Sequence, residues 1–415
     1  MLLDARAGWR ARLLALRRGL LLTGPAFVAA IAYVDPGNIA TNVTAGARYG
    51  YLLVWVIVTA NLVAMLVQYL SAKLTIATGA TLPELCRDRF PRPAVVGLWV
   101  EAELVAIATD LAELIGGAVA LQLLFGVPLL AGGIITGGVS WVTLTLQSRR
   151  GQRRFEGVLT GLLGVVLVGF FYSAFVSRPH AHEISAGLVP HLAGTGSLLL
   201  AAGILGATVM PHAIYLHGAL VRDRHGNRTD RLPRQRRLLA ATRADVVIAM
   251  TLAGAANLAM LVVAAAALTP AGGDSLAAAQ LGLGQSIGDA GAVLFALALL
   301  ASGLASTSVG TYAGAVIMEG FLRRRVPLTV RRLVTLVPAL ALLASPVEPG
   351  QALIISQVVL SFGIPFAVWP LVAFTRRPDV MGAFTNRRAT TLVAVAAAIL
   401  ITMLNVGLVW YTLAG

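Results

Sequence analysis

The sequence predicts an all-α polytopic membrane protein, and three observations carry that prediction. The 415 residues are 58% hydrophobic and only 12% charged, where a soluble domain carries about 25% charged residues. Apolar runs of about 20 residues, the length that crosses a bilayer as a helix, recur along the chain. The arginines behind the net charge of +14 fall in alternate loops, as the positive-inside rule requires. That placement removes nucleic acid from the partners such a charge would otherwise suggest. Cys86 is the one cysteine, so an internal disulfide is excluded.

Loop punctuation and apolar runs place helical spans near 24–47 (interrupted), 51–76, 95–124, 128–147, 156–176, 195–220, 241–268, 286–320, 330–345, 351–373 and 389–412. Residues 1–23 are an arginine-bearing tail. A signal-peptide reading of them is set aside because apolar character returns after Asn38. The loops test the count. Those on the starting side hold Arg87, Arg89 and Arg92; Arg149, Arg150, Arg153 and Arg154; eight arginines from Arg222 through Arg243; Arg323, Arg324 and Arg325; and Arg376, Arg377, Arg387 and Arg388. The opposite loops hold Arg48, Arg178, Glu183, Asp274, Asp289, Glu348 and little else that is charged. Alternation predicts a cell-membrane protein with a cytoplasmic N-terminus and, from the odd count, an extracytoplasmic C-terminus.

Two spans break the pattern. In GPAFVAAIAYVDPGNIATNVTAGA, Gly24 to Ala47, the apolar run stops at Asp35-Pro36-Gly37-Asn38. A carboxylate at mid-bilayer costs about 2.5–3.5 kcal/mol on insertion scales. Pro36 removes a backbone donor and Gly37 is a poor helix former. The sixth span repeats the anomaly at Met210-Pro211-His212, after Gly206 and Ala207. Interrupted helices in corresponding positions of two five-helix halves point to a transporter site. An odd number of helices per half inverts the second relative to the first. The chain therefore reads as one transmembrane domain over 24–415: a first repeat at 24–176, an inverted second at 195–373, and an added eleventh helix at 389–412.

The breaks offer the Asp35 carboxylate, the Asn38 amide oxygen, the Met210 thioether and the carbonyl of Ala207, one turn before Pro211. Terminal carbonyls of a helix lack partners and sit at its negative end, so they favour a cation. Calcium and magnesium prefer oxygen alone, whereas a thioether favours softer divalent metals such as Mn²⁺, Fe²⁺, Co²⁺ or Cd²⁺. His212 lies two residues past Met210, about 200° around the helix, and suits a proton role better than ligation. His217 is expected to pack or hydrogen-bond within its helix. His180, His182 and His191 share an outer loop, either as surface metal capture or as a solvated loop. Glu103, Asp110 and Glu113 fall within an arc of about 80° on the third span. Arg331 and Arg332 are their obvious partners, and the cluster is either a structural ion-pair group or a proton route.

AYVDPGNIATN, ATDLAE (Ala108 to Glu113), GATVMPHAIYLH and SQVVLSFGIPFA resemble the natural resistance-associated macrophage protein (Nramp) family of divalent metal transporters. The resemblance implies a LeuT-type fold of five plus five helices with an eleventh. It implies proton-coupled import of Mn²⁺ or Fe²⁺ by alternating access. It assigns the metal to Asp35, Asn38, Ala207 and Met210, with Gln357 approaching in some states. It implies that Asp35 accepts the proton and that His212, Glu113, Asp110, Arg331, Arg332 and Glu103 form the polar network nearby. Ala315 departs from the pattern, standing where glutamine is expected. The expected partners are divalent transition metal ions, protons and the lipid bilayer, with no obligatory protein partner, no cofactor beyond the cargo and no enzymatic activity. The alternatives are a symporter of the same fold for another solute and a non-transporting membrane metal sensor.

Overall fold

The computed structural model describes residues 24–150, 152–226, 232–273, 275–324 and 326–414. The tail 1–23, Arg228, Arg231, Asp274 and Arg325 lie outside the described residues. The first span is two helices, α1 (Pro25–Ala32) and α2 (Pro36–Tyr49). Then come α3 (Val54–Thr78), α4 (Leu82–Arg89), α5 (Arg92–Phe125), α6 (Leu129–Arg150), α7 (Gln152–Ser177) and α8 (Ala181–Ala186). The sixth span is also split, into α9 (Thr195–Thr208) and α10 (Pro211–His225). There follow α11 (Leu232–Ala267), α12 (Leu276–Ile287), α13 (Asp289–Leu322), α14 (Leu328–Leu343), α15 (Pro349–Thr375), α16 (Pro378–Met381) and α17 (Arg388–Ala414).

Among the described residues, 8 helices are long and apolar enough to cross a membrane, and the protein is an integral membrane protein. α14 falls short because 16 residues are fewer than a membrane crossing needs. Of the boundaries that differ from the sequence reading, two have a clear physical cause. α11 begins at Leu232 rather than near 241, because Arg234, Arg236 and Arg237 are good helix formers whether or not they are in lipid. The expected start of the eighth span, at 286, falls on the end of α12. Gly288 at φ 86° ends that helix and lets α13 start in a new direction.

Small residues set the closest packing. The most extensive helix contact joins α5 and α13. There a side chain at Gly303 would meet the backbone of Gly117 and Glu113. At the α9–α15 contact, a side chain at Gly206 would collide with the Gln357 carbonyl. Lipid offers no hydrophobic drive between helices, so close backbone approach through small residues supplies the packing. Large apolar side chains such as Phe175, Leu392 and Trp410 instead face outward from α7 and α17. The broken helices lie inside this shell, with Asp35 1% exposed and Asn38, Ala207, Met210 and Gln357 0% exposed.

Candidate metal centre

The first break is held open by side chains that replace the missing helical bonds. Asp35 is the N-cap of α2, and its Oδ1 accepts from the Asn38 N–H at 2.9 Å. Pro36 occupies the first helical position, where its lack of an N–H costs nothing. The Tyr33 carbonyl, left without a helical donor, accepts from Asn38 Nδ2. The Val34 carbonyl accepts from the Ser302 hydroxyl of α13 at 2.5 Å. At the other end of α1, the N–H groups of Gly24 and Ala26 donate to the Asp245 carboxylate of α11. An anion at the positive end of a helix is stabilising, and this one pins the half-helix as a unit.

The second break meets the first through one side chain. Asn38 Nδ2 also donates to the Ala207 carbonyl, at 3.3 Å. Three residues on, Met210 is the N-cap of α10 and is wholly buried. Gln357 of α15 completes the group, donating from Nε2 to Asp35 Oδ2 at 3.1 Å. It can do so because Gly37 and Gly206 leave it room, since a side chain at either would strike Gln357. Its Oε1 is buried with no hydrogen-bond partner among the described residues. Unsatisfied buried oxygens are costly and rare, so this one is a feature to be explained. The structure thus gathers Asp35, Asn38, Ala207 and Gln357 around one junction, with Met210 on the same break as Ala207.

The acidic face of α5 lies beside that junction. Gly116 of α5 is packed against the Pro36 ring, and Asp110 and Glu113 both lie against Gly310 of α13. Glu113 is an electrostatic neighbour of both Asp110 and Asp35. Arg332 and Arg331 are the cations facing Asp110. Arg331 forms an ion pair with Glu103 at 2.9 Å. Arg332 is 3% exposed, and its guanidinium nitrogens have no hydrogen-bond partner among the described residues. His212 of α10 reaches the same helix, α5, its Nδ1 paired with the Thr109 hydroxyl at 3.3 Å.

Several expectations change in detail. His217 does not bond within its own helix; its Nδ1 pairs with the Gln68 carbonyl of α3 at 3.2 Å. The reason is topological, since α10 packs along α3. His180 and His182 are exposed, and among the described residues no three His, Cys, Asp or Glu side chains gather as a metal cluster. The sequence reading also passed over Asn42, whose Nδ2 donates to Asn38 Oδ1 at 2.5 Å and approaches Met260 Sδ at 4.0 Å. Its position one turn after Asn38 was the available signal.

With that geometry in view, the comparisons with known proteins are specific. The family model described as "Natural resistance-associated macrophage protein-like" (Nramp) matches residues 26–411. The chain belongs to the Nramp family. It is 56% identical over 401 residues to a divalent metal cation transporter (MntH) of Mycobacterium tuberculosis, covering 96% of this chain and 94% of that protein. The Bacillus subtilis protein of the same name is 50% identical, over 94% of this chain and 92% of the relative. Among solved structures, the Eremococcus coleocola manganese transporter superposes on this Nramp protein with a TM-score of 0.82 and 34% identity, covering 94% of this chain and 86% of that one. A nucleobase-cation-symport-1 family transporter shares the fold alone, at TM-score 0.62 and 15% identity over 94% and 91% of the two chains. The fold is the LeuT type.

Proposed function

We propose that this protein imports divalent transition metal ions, Mn²⁺ and Fe²⁺ foremost and Cd²⁺ and Co²⁺ with them, together with protons. The observation that carries the reading is the single carboxamide of Asn38, bonded to both helix breaks and set beside Asp35. Relatives bearing the name divalent metal cation transporter support the substrate class.

The donor set suits a soft divalent ion. Asp35 supplies charge, Asn38 and the Ala207 carbonyl supply neutral oxygens, and Met210 supplies sulfur. Gln357 adds an oxygen that has no partner among the described residues. Asn38 and Ala207 are bonded to each other, so a cation taking both oxygens replaces that bond and draws the two breaks onto itself. Alternating access follows when the half-helices move about those breaks, first exposing the site to the outside and then to the cytoplasm. The incoming cation favours loss of a proton from Asp35. Glu113, Asp110, Arg332, Arg331 and Glu103 form a buried polar line leading away from Asp35, and His212 adds a proton carrier at the second break. This line is the route we assign to the proton.

The test is uptake into proteoliposomes of Mn²⁺, Cd²⁺ and Ca²⁺, with internal pH recorded at the same time. The reading expects Mn²⁺ and Cd²⁺ to enter in preference to Ca²⁺ and the lumen to acidify as they do. Binding without accumulation would indicate a sensor, and uptake of an organic solute driven by metal would indicate another symporter of this fold.

A further inference from the structure

A polar cavity that shares no lining residue with the metal centre lies on the arginine-rich face of the protein. Its volume is about 610 Å³, and it is bordered by α3, α11 and the segment 383–390 that leads into α17. Among the described residues three cationic side chains line it, Lys73, Arg243 and Arg387, and no carboxylate does. Lys73 is 8% exposed yet makes one hydrogen bond, from Nζ to Asn386 Oδ1 at 2.6 Å, with the Tyr69 ring 6.0 Å away. Its ammonium has three protons to donate, so that bond leaves capacity on the cavity side. Among the described residues neither arginine forms an ion pair, and three uncompensated cations around one space attract an anion.

The cavity is also polarised along the membrane normal. Lys73 and Arg243 stand toward the arginine-rich ends of their helices. One to two turns deeper, Met65 and Val246 continue the wall as an apolar surface. Val247 and Ile248, 46% and 49% exposed, carry that surface outward toward the hydrocarbon. A charged head above an apolar flank matches a molecule with a phosphate at one end and acyl chains at the other.

We propose that this cavity binds the phosphate of an anionic phospholipid, with Lys73, Arg243 and Arg387 on the headgroup and the acyl chains lying past Met65 and Val246. Basic pockets between transmembrane helices are suited to such headgroups. The bound lipid ties α3 and α11 to the lead-in of α17, because Asn386 is itself fixed to the end of α15 through Thr375.

The experiment uses the full-length protein, delipidated in detergent. Native mass spectrometry and thermal unfolding are followed with phosphatidylglycerol, with phosphatidylcholine of the same acyl chains, and with inorganic phosphate. The wild type is expected to retain phosphatidylglycerol under conditions that strip phosphatidylcholine, and to melt at a higher temperature with it. Arg243→Gln with Arg387→Gln should weaken that binding about 30-fold, from the usual contribution of each basic side chain near an anionic headgroup. Arg236→Gln with Arg376→Gln, which removes the same charge from exposed sites on the same face, should leave it unchanged. The lipid-free melting temperature of the first pair checks that it folds. Equal retention of the two lipids, or an equal loss in the second pair, would overturn the proposal. So would protection by inorganic phosphate alone that matches the lipid, which would make the site one for a soluble anion.

Discussion

The two helix breaks are alike in sequence logic and unlike in construction. At the first, the exposed backbone has been provided for: Asn38 serves the Tyr33 carbonyl, Ser302 the Val34 carbonyl, Asp35 the start of α2, and Asp245 the start of α1. At the second, the Ala207 carbonyl has a 3.3 Å bond from Asn38, the Thr208 hydroxyl is buried without a partner among the described residues, and Met210 caps α10 with no side-chain bond. A buried polar group left weakly bonded costs stability that a well-bonded one does not. The contrast suggests a division of labour, in which the first break is a preformed cradle and the second the half that closes on an ion.

Substitutions can break or sharpen that contrast. The largest effect is expected at Asp35, where Asp35→Ala reduces Mn²⁺ uptake to background in proteoliposomes. Asp35→Asn does the same while keeping an N-cap, so its melting temperature stays nearer the wild type. Undiminished uptake by either would separate the first break from the cargo. Met210→Ala should narrow the preference for Cd²⁺ over Ca²⁺, read as a competition ratio, and lower the melting temperature through the cavity left by a wholly buried side chain. Asn42→Ala, which frees Asn38 Oδ1 from its donor, should weaken apparent metal affinity roughly 10-fold, the low end for a residue that orients a ligand.

Smaller effects belong to the scaffold. Ser302→Ala leaves the Val34 carbonyl without its donor and should cost about 1–3 kcal/mol of stability, seen as a lowered melting temperature. Glu84, on the short helix α4 outside the spans, gives a pH-dependent control. Burial alone would lift its carboxyl, but Arg222, 2.7 Å away, and the Thr81 N–H hold it below its usual range. The pair's stabilisation is therefore complete above the ordinary glutamate pKa of about 4.3 and is lost as pH falls through the lowered value. Glu84→Gln should remove about 1 kcal/mol near neutral pH and flatten that acid limb. It should leave metal selectivity unchanged.

Much of this architecture was readable because lipid imposes strict rules. Asp35, Pro36, Pro211 and Met210 stood out since a membrane helix has few reasons to hold a carboxylate or a proline. The arginines marked the loops. The ion pair of Arg331 with Glu103 followed from helical phase on α5 and the shortage of other partners. What could not be read were contacts between elements distant in the chain. Ser302 and Asp245 lie 268 and 219 residues from the backbone groups they serve. Ser302 has no periodic signature, because one small hydroxyl in an apolar helix looks like any other until the fold brings it to a free carbonyl. Asp245, though conspicuous as a carboxylate in an apolar span, carries no mark of the N–H groups it serves. The partner of His217 was missed for the same reason. Gln357 came from the family resemblance, and its seat against Gly37 and Gly206 depends on two glycines whose roles appear only in three dimensions.

The central claim, that both breaks grip one ion, is tested most directly by X-ray absorption at the cadmium edge of the Cd²⁺-loaded protein. The account predicts one sulfur scatterer in a shell otherwise of oxygen. Met210→Ala should lose the sulfur and keep the oxygens, and Asp35→Asn should keep the sulfur while metal occupancy falls. A wild-type shell without sulfur, or one that Met210→Ala leaves unaltered, would contradict it.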